Sequence, residues 1–176
     1  MEAINQKPDN IPSSKQQFLT VYDREHATTM RVLRAYPDDK LSLRPHAMCK
    51  TARELAWVFV LERGLGTMVF NDEFKDMDPS GEAPTPPESW SELLAALDAA
   101  HQDFGNLIRA TPDDEMNRLV TFFTAPKTMG QITRTEWIWF LLHDQIHHRG
   151  QFSIYLRMAD GKVPAIYGPS GDEPWM

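Results

Sequence analysis

Apolar residues recur along this chain at three- and four-residue spacing in four long segments, the repeat of a helix that buries one face. The first stripe reads Phe18, Tyr22, His26, Thr29, Leu33, and the second Leu55, Val58, Glu62, Leu65, Val69. The third reads Trp90, Leu94, Leu97, His101, Phe104, Ile108, and the fourth Trp137, Leu141, Asp144, His148, Gln151, Tyr155. The first amides of a helix have no intrahelical acceptor, so Ser or Thr followed three residues later by Glu or Gln marks a start. That signature precedes each segment, at Ser14 to Gln17, Thr51 to Glu54, Ser89 to Glu92 and Thr128 to Gln131. Stop signals place the helix ends near Tyr36 ahead of Pro37, near Phe70, before Pro112, and near Ala159 ahead of Gly161 and Pro164.

Four segments of about 20 to 30 residues leave little chain for anything else. The expected fold is all-α: one domain over residues 1–176, a four-helix bundle with long inter-helix loops and an irregular C-terminal tail. One loop is NDEFKDMDPSGEAPTPPE, rich in Pro and Asp. The other spans Thr111 to Lys127, with a helical turn at Asp113 to Arg118, and no strand is expected. In the tail, Ile166, Tyr167 and Trp175 are expected to pack onto the domain or onto a partner.

Composition narrows the class. A chain of 176 residues with 41% hydrophobic content suits one core and needs no disulfide or structural metal to fold. No stretch reaches the roughly 18 uninterrupted apolar residues of a membrane span. The start, MEAINQKPDN, lacks the apolar core of a secretory signal, so the expected location is cytoplasmic. The single cysteine excludes an internal disulfide framework and a Cys-rich zinc module. A net charge of −7 argues against a nucleic-acid partner, which a basic surface would serve.

The chemistry lies where polar groups interrupt the stripes. Desolvating a lone carboxylate or imidazole costs several kcal/mol, so buried ones are paired, hydrogen-bonded or metal-bound. Asp144 and His148 stand four apart, with Cβ atoms about 5–6 Å from each other on one helix face, a spacing that can share a cation. The register turns both toward the interior and leaves His143 and His147 nearer the rim. Plainer readings stand beside this one. His26 and His101 read as core histidines bonded to backbone carbonyls, and Glu62 as the partner of an arginine across the bundle. Cys49, just ahead of the second helix next to Lys50, reads as incidental, and Trp57, Trp137 and Trp139 as core or interface residues. The chain contains no glycine-rich phosphate loop, no G-x-S-x-G elbow and no H-E-x-x-H.

The run His147-His148-Arg149-Gly150-Gln151, continued by Tyr155-Leu156-Arg157 and by Val163-Pro164-Ala165-Ile166-Tyr167-Gly168-Pro169-Ser170, resembles the signature of DinB-like proteins, the DinB/YfiT group. The resemblance implies a cytoplasmic four-helix bundle, commonly a homodimer, that holds a divalent metal with three histidines. Among relatives it implies thiol-dependent S-transferases, metal-dependent hydrolases and members without an assigned activity. Carried over, the fourth-helix ligand positions are His148 and Asp144. The third belongs to the second helix, where Glu54-Leu55-Ala56-Trp57 matches and Val58 occupies the ligand position. Glu62, one turn further on, is the first candidate to replace it, with His147 adjacent and His101 or His26 behind.

A mixed Asp, His and Glu set suits Zn²⁺, Ni²⁺, Fe²⁺ or Mn²⁺. Because an alkyl side chain has no lone pair, ligand counting predicts weak or absent metal, restored by Val58→His, unless Glu62 fills the place. Two functions compete: a metal-dependent enzyme of the thiol S-transferase or hydrolase type acting on a small-molecule substrate, and a non-catalytic dimer serving as a small-molecule binding or stress-associated interaction module.

Overall fold

The computed structural model describes residues 11–77 and 81–176. The polar first ten residues and three residues of the loop after Phe70 lie outside the described residues. Helix α1 spans Ser14–Arg34, α2 Ala52–Phe70, α3 Trp90–Ala110 and α4 Arg134–Met158. Thr51 and Glu54 cap α2 reciprocally, as the sequence predicts, and the Ser89 hydroxyl accepts from the Glu92 amide at the start of α3. Two starts move. The α1 box is formed by Ser13 and Gln16, one residue ahead of the expected pair, while Gln17 reaches back to the Pro12 carbonyl.

The α4 box is formed by Thr133 and Glu136. The expected start at Thr128 is wrong because strand β2, Thr128–Thr133, takes that segment and pairs antiparallel with β1, Leu119–Ala125. This hairpin corrects the expectation of a plain loop, and the run LVTFFT explains it. β-Branched and aromatic residues alternate there, so that Val120 is fully buried while Leu119 and Phe123 face outward. Lys127, at φ 59°, makes the turn. The expected helical turn before it is present as a short 3₁₀ segment, Asp114–Asn117. The all-α bundle therefore stands, with one hairpin added at the end where α4 begins.

The core has two apolar halves. Leu33, Leu55, Phe59, Leu97, Phe152 and Leu156 fill one, and Phe18, Tyr22, Phe70, Phe104, Trp137 and Leu141 fill the other. Between them every helix contributes buried or half-buried polar side chains: Glu25 and His26 from α1, Glu62 and Arg63 from α2, His101 from α3, and Gln145, His148 and Arg149 from α4. Helices α2 and α4 run antiparallel across this waist. The Trp137 indole N–H donates to the Gly66 carbonyl at 3.0 Å on one side of it, and the Tyr155 hydroxyl donates to the Lys50 carbonyl at 2.9 Å on the other. Gly66 permits the close approach: a Cβ there would stand 2.7 Å from Leu141 Cδ2.

The tail folds onto its own domain at Ile166, which packs on the first apolar half, and at Tyr167, which reaches the waist. Arg157 ties it down further through Asp172, while Trp175 is exposed.

Candidate metal centre

The waist sorts into three polar groups. The first lies between α1 and α4, where Arg149 and Glu25, both almost fully buried, form an ion pair at 2.8 Å. Arg149 also donates to the Glu25 carbonyl and to the Tyr167 hydroxyl, and that hydroxyl donates to Glu25 at 2.6 Å. Burial alone would push the Glu25 carboxyl up, yet the Tyr167 and Arg149 donors hold it below its usual range. Neither Glu25 nor Arg149 figured among the expected functional residues. Glu25 was findable, since it stands three residues from Tyr22 and four from Thr29 on the first stripe.

The second group lies between α1, α2 and α3. His26 and His101 stack with ring centroids 3.8 Å apart and planes 5° from parallel. His26 Nε2 meets Asp98 at 2.7 Å, and His101 Nε2 meets Asp23 at 3.0 Å. Arg63, fully buried, donates to the Phe59 carbonyl and to His26 Nδ1. Both histidines are core residues as expected, but their partners are carboxylates at the rim instead of backbone carbonyls.

The third group lies between α2 and α4 and joins Glu62, Asp144 and His148, whose ligating atoms all lie within 4.8 Å of one another. His148 Nε2 stands 3.0 Å from Glu62 Oε1 and 3.7 Å from Asp144 Oδ2. Glu62 is buried, His148 largely so, and Asp144 opens toward solvent at 43% side-chain exposure. Two expectations meet here. Asp144 and His148 turn toward the α2 interface, and Glu62 is the α2 group that meets them. Among the described residues no arginine pairs with Glu62, because Arg63 points to the opposite side of α2.

His147 does not join the trio. It is exposed, and its Nε2 takes a hydrogen bond from the Gln151 amide at 2.8 Å. That bond orients Gln151 so that its carbonyl oxygen accepts from His148 Nδ1 at 3.3 Å. The tautomer follows from the network: with Nδ1 donating, the neutral His148 ring presents the Nε2 lone pair to the two carboxylates.

This arrangement suits a cation better than it suits a hydrogen bond. Both Glu62 oxygens are buried without a hydrogen-bond partner, and the neutral His148 ring, with its proton on Nδ1, turns only the Nε2 lone pair toward them from 3.0 Å. Two donors bound about 2.1 Å from one tetrahedral ion stand about 3.4 Å apart, and the observed separations of 3.0 and 3.7 Å bracket that figure. Without a cation, burial pushes the Glu62 carboxyl up, and the Glu62 carboxylate raises His148 despite the imidazole's own desolvation. One nitrogen and two carboxylates are a donor set for Zn²⁺, Fe²⁺, Mn²⁺ or Ni²⁺. The residues present therefore fit a divalent metal, with Glu62 in the role that Val58 cannot fill. Val58 itself is half-buried on the same helix.

His148 also lines a cleft of 480 Å³ with Pro45, Met48, Cys49, Lys50, Leu55, Gln151, Ile154 and Tyr155. Cys49, half-buried, thus forms part of a wall next to the candidate centre. The other expected core or interface residues fall as follows: Trp137 is fully buried, Trp139 packs edge-on against Phe18, and half-buried Trp57 donates to the Pro84 carbonyl.

A four-helix bundle with a nitrogen-and-carboxylate trio on two antiparallel helices defines a helical protein with a candidate metal centre. The family model of the DinB superfamily matches residues 22–152, a span that includes all three of those residues. The chain belongs to the DinB superfamily. It is 26% identical over 160 residues to the uncharacterized protein YrdA of Bacillus subtilis, an alignment covering 89% of each chain. Its fold is similar to that of a DinB-like protein from Bacillus cereus, at 22% identity and a TM-score of 0.71, over 85% of this chain and 95% of that one. It is also similar to the DinB-like protein YjoA of Bacillus subtilis, at 14% identity and a TM-score of 0.64, over 83% and 94% of the two chains. Among the described residues no helix is long and apolar enough to cross a membrane.

Proposed function

We propose that this DinB-superfamily protein binds a divalent cation through Glu62, Asp144 and His148 and uses it in hydrolytic or thiol-transfer chemistry on a small molecule. The carrying observation is the orphaned Glu62 carboxylate, buried 3.0 Å from an imidazole nitrogen with neither oxygen hydrogen-bonded. Glu62, Asp144 and His148 would hold the ion, which would supply Lewis-acid activation of a water or thiol. The chain's own residues do the rest. Glu62 sets charge at the buried side, Gln151 fixes the His148 tautomer, and Asp144 faces the solvent side, where a small molecule enters. Exposed apolar side chains on the outer face of α4 and on the hairpin, Phe140, Met158 and Phe123, support assembly as a homodimer.

Calorimetric titration of the untagged protein with Zn²⁺ tests the metal reading. The unmodified chain is expected to bind one ion, Glu62→Gln to weaken binding by about tenfold or more, and His147→Gln to leave it within about twofold. Equal affinity in the unmodified chain and Glu62→Gln would overturn the assignment. Failure of both to bind, with binding gained on Val58→His, would favour the non-catalytic reading, in which Val58 marks a lost site.

A further inference from the structure

The cleft beside His148 has a composition that the metal reading does not use. Its walls come from the segment ahead of α2, where Pro45, Met48 and Cys49 lie, and from α4, where Ile154 and Tyr155 lie, with Leu55 beneath them. Met48 is 89% exposed and Ile154 60% exposed, so two large apolar side chains of the lining stand open to solvent. The volume of 480 Å³ lies within the range of small-molecule sites. No carboxylate lines it directly, although Glu54 lies near Lys50 and Tyr155, and Glu62 and Asp144 stand behind His148. The ionisable groups besides the Cys49 thiol and the Tyr155 hydroxyl are His148 and Lys50. Nearby Arg44 is already paired with Glu54 at 3.1 Å, whereas Lys50 forms no ion pair with any described residue. The Tyr155 hydroxyl is spent on the Lys50 carbonyl, which fixes the backbone that carries this ammonium group.

We propose that this cleft binds a compact apolar organic anion, a carboxylate with an alkyl or aryl body. The body lies between Met48, Leu55 and Ile154, and the anionic end is held by Lys50. Burying such a body removes the exposed apolar surface of Met48 and Ile154 from water, which supplies the affinity. The cationic lining in an acidic protein supplies the selection for charge. A neutral molecule of the same shape gains the first contribution without the second, and an inorganic anion gains the second without the first. The proposal deepens the metal reading and rests on it only in calling this molecule the substrate or product of that centre. Binding in the cleft does not require the ion.

Cys49, the chain's only cysteine, reports occupancy from inside the cleft. Its alkylation by neutral iodoacetamide is followed by mass spectrometry on the full-length protein in excess chelator, with 4-phenylbutanoate or 4-phenylbutan-1-ol as the competing probe. The acid is expected to halve the alkylation rate at about a tenfold lower concentration than the alcohol. Lys50→Gln, a substitution at an exposed side chain, is expected to bring the two probes within about twofold while keeping protection by the alcohol. Ile154→Ser is expected to weaken protection by both. Equal protection by the two probes in the unmodified protein, or an acid preference surviving Lys50→Gln, would overturn the charge assignment. Absence of protection by either would overturn the cleft as a site. The chelator keeps these outcomes separate from the Zn²⁺ titration, which decides the metal reading alone.

Discussion

Stability should fall as the pH drops from neutrality, and buried His101 should contribute a measurable share of that fall. Its ring is enclosed between Tyr22, with centroids 4.2 Å apart, and His26, and its Nδ1 is buried without a partner. Burial, then the neighbouring His26, then the Arg63 guanidinium push its pKa down to about 3, against the opposing pull of Asp23. The unfolded chain holds this group near its ordinary value of about 6.5, so it takes up a proton that the folded state refuses. The sign follows. Above about pH 7 the group contributes nothing to the pH dependence, and stability is lost progressively from about pH 6.5 down toward the folded value. At about pH 4.5 the full linkage is about 2–3 kcal/mol. The half-exposed Asp23 and solvent around it reduce that to about 1–2 kcal/mol. His101→Gln keeps a donor for Asp23 and removes the titration. Urea unfolding of both proteins at about pH 7.5 and about pH 4.5 measures the difference, in which carboxylates common to both cancel. The unmodified protein should lose about 1–2 kcal/mol more than the variant over that interval. Equal losses would refute the reasoning, since the imidazole would then titrate alike in both states.

Three other outcomes are expected. Zn²⁺ affinity should rise with pH through the neutral range, because His148 and Glu62, both shifted upward, must give up protons to bind; calorimetry in buffers of differing ionisation enthalpy counts those protons. Arg149→Met should cost about 2–3 kcal/mol in urea unfolding by leaving buried Glu25 with only Tyr167 and the exposed Arg24 as partners, and a cost below about 1 kcal/mol would count against a structural role for the pair. Light scattering at micromolar concentration should give twice the 20.2 kDa chain mass, and a clean monomer would remove the homodimer from the proposal.

What the sequence disclosed was whatever repeats with the helical period. The four stripes carry the fold because each buried face is read directly as spacing, and Trp137, Leu141, Leu97, Phe104 and Ile108 all lie in the core as that spacing requires. Cap chemistry was legible where one Ser or Thr had one acceptor three residues on, as at Thr51. It failed where two registers competed, Ser13 against Ser14, and where a strand used the same letters, Thr128 against Thr133. The hairpin was missed because its inward residues, Val120, Phe122 and Ile132, pack against the bundle and leave only a short alternation in each strand. Arg63 and Arg149 were missed for a different reason. A long cationic side chain beside a stripe reads as solvated, and only tertiary structure reveals that Glu25, His26 and a backbone carbonyl receive these two.

The antiparallel packing of α2 on α4 explains why Glu62, and not Val58, meets both Asp144 and His148. Helices α2 and α4 are antiparallel, with Gly66 level with Trp137 and Phe59 level with His148. One turn forward on α2 therefore corresponds to one turn back on α4. From Val58 to Glu62 is four residues, about 6 Å along the axis, and from His148 back to Asp144 is the same distance. A side chain at position 62 thus stands close to level with Asp144, whereas one at position 58 stands close to level with His148 and further from Asp144. The candidate centre therefore takes its α2 group from position 62 and finds the partners at 144 and 148. The longer Glu62 side chain spans the gap from a more deeply buried backbone, and both its oxygens remain free of other bonds because Arg63, the adjacent cation, is turned toward His26 and α3. A buried carboxylate left this way would be a plain cost to folding, as it is for any unpaired acid in a protein interior. In the proposed centre, an ion held with Asp144 and His148 would offset that cost.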